Sequence, residues 1–99
     1  MIALLDDIGI EEAIDLMTEN GTRHDVISRA VSLVLFEGGM IKLGIDRSAS
    51  FMLVAVGELD EEVCLDDAMF GVSRRSPKDR YNFARGFTIA LLRAVSMKD

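Results

Sequence analysis

The strongest constraint on the fold is the stretch from Ser73 to Val95, SRRSPKDRYNFARGFTIALLRAV, which holds the only proline and most of the positive charge. Ser76-Pro77-Lys78-Asp79 reads as a helix start. A serine hydroxyl accepts a hydrogen bond from a free backbone N–H at the N-cap, and proline at the first helical position loses nothing by lacking its own N–H. Asp79 then sits on the positive end of the helix dipole. The spacing predicts a helix from Pro77 to about Val95. At about 100° per residue, Phe83, Ala84, Phe87, Leu91, Ala94 and Val95 share one face, the expected core face. Lys78, Asn82, Arg85 and Arg93 share the other, with Tyr81 at its edge. This basic strip begins beside Arg74 and Arg75. Guanidinium groups grip phosphate in a bidentate way, and helix N-termini favour anions. The candidate ligand-binding residues are therefore Arg74, Arg75, Ser76, Lys78, Tyr81, Asn82, Arg85 and Arg93. A plain solvated helix face explains the same charges.

Charge is unevenly spread along the 99 residues. Residues 1–37 carry a net −6, residues 38–69 carry −5 and residues 70–99 carry +5, for −6 overall. An acidic chain has no global field for duplex DNA, while a local anion site near the C-terminus is allowed. The length suits one domain, or one domain with a dimerising arm. A core this small makes a homodimer or higher oligomer the expectation. Cys64 is the only cysteine, so there is no disulfide framework. Asp6 and Asp7 interrupt the opening apolar run, so no signal peptide is expected. No apolar stretch is long enough to span a membrane.

In chain order, Met1–Leu5 is a short apolar run, an edge strand or a helix lead-in. Ile10, Ala13, Ile14 and Met17 recur at helical spacing and Asn20-Gly21 is a stop signal. Thr22, with Asp25 three residues on, is a candidate cap for a second helix running towards Phe36. The later part of that helix, VSLVLF, is β-branched enough to compete as a strand, so residues 32–37 read either way. After Gly38-Gly39, MIKLGI and SFMLVAVGEL form a β-hairpin about the turn-like Asp46-Arg47-Ser48. The acidic LDEEVCLDD is a loop or a third short strand. Ala68–Ser73 is a last strand leading into the terminal helix.

Two resemblances bear on function. Pro77, Asp79, Tyr81, Phe83, Gly86, Ala90, Arg93 and Ala94 resemble the closing helix of many small bacteriophage proteins. Some of these look like the phage anti-Thoeris sponges, which sequester cyclic-ADP-ribose-type immune signals. There an asparagine before the proline and the closing arginine contact the nucleotide. Here those positions hold Ser76, a departure, and Arg93, a match. The resemblance implies a phage protein acting in the host cytoplasm. Residues 1–37 are similar to ribbon-helix-helix repressors at Leu5-Asp6-Asp7, Ala13, Leu16, Gly21-Thr22, Asp25-Val26-Ile27 and Arg29-Ala30-Val31. In that family the strand offers polar and basic side chains to the major groove. Met1–Leu5 offers none, so this likeness implies a dimerising helical unit rather than a DNA reader.

No catalytic constellation emerges. His24 is the only histidine and lies near a helix start, and one histidine with one cysteine does not make a zinc site. Glu61, Glu62, Asp66 and Asp67 surround Cys64, and such carboxylates oppose a thiolate. The acids lack calcium-loop spacing, and no phosphate-binding glycine motif is present. The expectation is an α+β fold: two N-terminal helices in an arm over residues 1–37, then an antiparallel sheet with a C-terminal helix packed on it over residues 38–99. The leading functional expectation is a non-enzymatic phage accessory protein that needs no cofactor and binds a nucleotide or other anion. The alternatives are a ribbon-helix-helix-like regulator and an acidic protein that inhibits a host protein.

Overall fold

The computed structural model describes residues 5–46, 50–57, 69–76, 78 and 80–96. The elements run β1 (Leu5–Ile8), α1 (Ile10–Glu19), α2 (His24–Phe36), β2 (Ile41–Ile45), β3 (Phe51–Val56), β4 (Met69–Arg74) and α3 (Phe83–Ser96). The strands form one antiparallel sheet in the order β1-β2-β3-β4, and α3 packs across β3 and β4. The fold is α+β, with two N-terminal helices, an antiparallel sheet and a C-terminal helix on the sheet.

Alternation along the strands defines the core. Register places Ile41, Leu43 and Ile45 of β2 opposite Val56, Val54 and Met52 of β3, all on one face. Met69, Gly71 and Ser73 of β4 continue that face. Against it lie Phe87, Ala90, Leu91, Ala94 and Val95 of α3, and α1 and α2 pack on α3 in turn. Ala13, Met17, Ile27, Ala30 and Val34 belong to this same cluster, so the two N-terminal helices share its core. Ile27, Ala30 and Val34 recur at helical spacing and are buried, which explains why residues 32–36 are helical: packing of a face outweighs the strand propensity of Val34 and Phe36.

The helix ends follow from local chemistry. After α1, Gly21 adopts φ +81, with Thr22 N donating to Met17 O at 3.0 Å and Gly21 N to Thr18 O at 2.9 Å. The end of α2 repeats this: Gly39 N donates to Val34 O at 2.9 Å and Gly38 N to Leu35 O at 3.2 Å. Both are glycine-terminated Schellman closures that satisfy the last carbonyls. Thr22 does not cap α2. Its hydroxyl accepts from the Asn20 amide at 3.2 Å, and Arg23 occupies the cap position with no side-chain bond.

The start of α3 differs from expectation. The first helical residue is Phe83, not Pro77, and Asn82 is the cap. Its Oδ1 accepts from Arg85 N at 3.1 Å, and its carbonyl accepts from Gly86 N at 3.0 Å. Ser76 Oγ accepts from Lys78 N at 3.4 Å, a local turn. The physical reason is packing. The described residues between Ser76 and Asn82 present no buried side chain, whereas Ala84 and Phe87 begin the buried face. A helix held by tertiary contact starts where that contact starts. Pro77 and Asp79 lie outside the described residues, as do residues 1–4 and the acidic LDEEVCLDD with Cys64. Among the described residues no helix is long and apolar enough to cross a membrane.

Candidate functional site

One end of the sheet gathers the basic residues. β3 begins there, β4 ends there and α3 starts there. Asp46 secures the β2–β3 connection: its Oδ1 accepts from Ser50 N at 2.9 Å and Phe51 N at 3.1 Å, and its Oδ2 from Ser50 Oγ at 3.2 Å. Arg75 N donates to Ser50 O at 2.8 Å, extending the β3–β4 ladder one residue beyond β4. The chain then leads through Arg80, Tyr81 and Asn82 into α3.

These segments enclose an open cleft of about 100 Å³. Its rim carries Arg74, Arg75, Arg80 and Arg85, with Tyr81 and Asn82 beside them. Met52, Ser73 and Gly86 lie among its deeper residues, next to Phe51. Arg74 lies over the Phe51 ring at 5.8 Å from its centroid. Among the described residues Arg74, Arg80 and Arg85 have no carboxylate partner. The positive end of α3 adds partial charge of the same sign, since the first N–H groups of a helix have no intrahelical acceptor and Asn82 satisfies only that of Arg85. Such a site favours an anion. Its volume is below the roughly 300–1,000 Å³ of pockets that enclose a drug-sized ligand. It is sized for part of a ligand.

Of the residues expected from sequence, Arg74, Arg75, Tyr81, Asn82 and Arg85 meet in this cleft. Ser76 and Lys78 are exposed in the turn outside it. Arg93 lies at the other end of α3, beside Phe70, Gly71, Val72 and Ser96. Its Nη1 donates to Val72 O at 2.7 Å. Register makes Val72 and Leu53 a non-hydrogen-bonded pair, so this carbonyl points away from β3, off the edge of the sheet among the described residues, and Arg93 covers it. Sequence reasoning missed Arg80. On one continuous helix from Pro77 it projects roughly 200° from Lys78, off the basic strip. Residues 80–82 precede the helix, and that brings it in. Ser73 and Met52 carried no signal beyond strand alternation.

Comparison with protein-family models, with curated proteins and with solved structures gave no match. The cleft is therefore read from its own chemistry. Its described lining contains no carboxylate, histidine or cysteine. No group of three or more metal-ligating side chains occurs among the described residues.

Proposed function

We propose that this chain binds a phosphate-bearing small molecule in the cleft at the start of α3 and holds it without cleaving it. The observation that carries this is the arginine cluster. Arg74, Arg80 and Arg85 line one concavity and have no carboxylate partner among the described residues. Fork-shaped donors with no carboxylate acceptor among the described residues suit an incoming oxyanion. Binding is favoured over turnover because the described lining holds no carboxylate, histidine or cysteine to serve as base or activated nucleophile. Tyr81, about half exposed at the rim, offers a face for stacking a base. The resemblance to anti-Thoeris sponges adds the finer reading of a phage protein in the host cytoplasm that sequesters a nucleotide immune signal, although the two positions it implies as contacts, Ser76 and Arg93, lie outside this cleft.

A duplex-DNA reader is disfavoured. β1 spends one edge on β2, and its Asp6 and Asp7 are exposed acids that repel phosphate. We also infer self-association, because Phe36 is 82% exposed and Leu35 58% exposed where α2 ends, with Met40 exposed nearby. The test is calorimetry with cyclic ADP-ribose and ADP, with chromatography of the ligand afterwards. Saturable binding with the ligand recovered intact is expected, weakened in Arg80→Gln and Arg85→Gln. Absence of binding to either nucleotide, or their conversion to product, refutes the proposal.

A further inference from the structure

The cleft has a polar floor as well as a charged rim. Ser73 is only 6% exposed, yet it lines the cleft, and its hydroxyl has no hydrogen-bond partner among the described residues. The residue is buried as a whole, and the hydroxyl is left to face the cleft. Ser73 stands on the core face of β4, paired with Met52. Gly86 of α3 lies directly over it. A Cβ on Gly86 would come 3.6 Å from Ser73 Oγ and 3.2 Å from Met52 Cε. Only glycine keeps that space open to an entering atom.

Resting on the anion-binding reading, we propose that Ser73 is a ligand-binding residue and that the cleft seats one phosphoryl group of a phosphate ester or pyrophosphate. One phosphoryl oxygen accepts from the Ser73 hydroxyl at the floor beside Gly86. The others face the Arg80 and Arg85 guanidinium groups at the rim and the N–H groups at the start of α3. Donors that approach from floor, rim and helix end match a tetrahedral anion. A flat carboxylate, with two oxygens in one plane, leaves one direction unserved. The cleft holds about 100 Å³, so the rest of the molecule stays outside, against Tyr81. Recognition is thus directed at the phosphate, and the identity of a base attached to it matters little.

The test is calorimetric titration with inorganic pyrophosphate, ADP, GDP, UDP and adenosine on wild type, Ser73→Ala, Gly86→Ala and Arg85→Gln. Wild type is expected to bind the three nucleotides with similar affinity and adenosine not at all. Ser73→Ala should weaken ADP by about tenfold or more, the range for a hydrogen bond to a charged group. Its ligand-free thermal midpoint should stay about level, since the hydroxyl makes no hydrogen bond among the described residues. Gly86→Ala should also weaken ADP. If Arg85→Gln loses ADP while Ser73→Ala binds within about twofold of wild type, the Ser73 assignment is wrong and the anion cleft stands. Adenosine binding as tightly as ADP, or one base preferred by more than about tenfold, overturns phosphate-directed recognition. If wild type binds neither ADP nor pyrophosphate, both this inference and the anion-binding reading fall.

Discussion

Gly71→Ala is the sharpest perturbation of this fold. Gly71 lies on the core face of β4 where α3 crosses it. A Cβ built there runs into the carbonyl oxygen of Ala90 and the amide nitrogen of Ala94, and comes 2.9 Å from Arg93 Cβ. Two of those three atoms are helix backbone, which has no rotamer to change, so relief requires α3 to lift off the sheet. Phe87, Ala90, Leu91 and Ala94 are all buried to within 1% and would lose close contact together. Overpacking ordinarily costs about 1–3 kcal/mol, and a rigid neighbour places this site at or above the top of that range. Against the about 5–15 kcal/mol that holds a typical domain, a loss of about 3 kcal/mol is severe. For a domain of this size it lowers the thermal midpoint by about 12–24 °C.

Gly86→Ala is the matched control on the same helix. Its new methyl meets the Met52 side chain, Cε at 3.2 Å and Sδ at 3.6 Å, and an unbranched thioether can turn aside. Helix propensity returns up to about 1 kcal/mol, so the ligand-free protein should change by less than that in either direction. Urea unfolding followed by circular dichroism measures both variants, with the slope confirming a common unfolded state. A Gly71→Ala loss under about 1 kcal/mol, or a Gly86→Ala loss equal to it, would refute the claim that backbone contact between α3 and β4 sets the spacing of the two layers.

Thr88 is 2% exposed and its Oγ1 is buried without a hydrogen-bond partner, so Thr88→Val should stabilise the fold by about 1 kcal/mol in the same unfolding assay; a loss would mean that the hydroxyl has a partner. Arg93→Ala removes the donor to Val72 O from an exposed site where water can replace it, so stability should fall by about 1 kcal/mol or less, and ADP affinity measured by calorimetry should not change. Loss of ADP binding in that variant would place Arg93 in the ligand site. Phe36→Ser, at the exposed end of α2, should shift light scattering towards the monomer without lowering the thermal midpoint of the monomer; an unchanged mass, or a wild type that is already monomeric, removes this surface as an interface.

The fold is largely legible in the sequence because its signals are periodic. Ile10, Ala13, Ile14 and Met17 announce α1, Asn20-Gly21 ends it, and strand alternation marks the β2–β3 hairpin and β4. The terminal helix is legible in its buried face and not in its start. Ser76-Pro77 and Asn82-Phe83 are both good caps by local chemistry, and only the position of the sheet decides that contact begins at Phe83. That shift of half a dozen residues also remakes the site. On a helix begun at Pro77, Arg80 turns away from Arg85; ahead of a helix begun at Phe83, it joins Arg74, Arg75 and Arg85 at one cleft. The closing pattern of Gly86, Ala90, Arg93 and Ala94 resembles the last helix of small bacteriophage proteins, yet most of it has a packing cause in this chain. Gly86, Ala90 and Ala94 recur every four residues along the side of α3 that meets Ser73 and Gly71, a seam small enough to bring the helix backbone onto the strand. Arg93 holds the edge of that strand. Residue type alone does not separate these roles, because a small residue that admits a neighbouring backbone is the same small residue that admits a ligand. Here the two divide by depth: Ala90 and Ala94 meet Gly71 where helix and strand touch, and Gly86 meets Ser73 where they part to form the cleft.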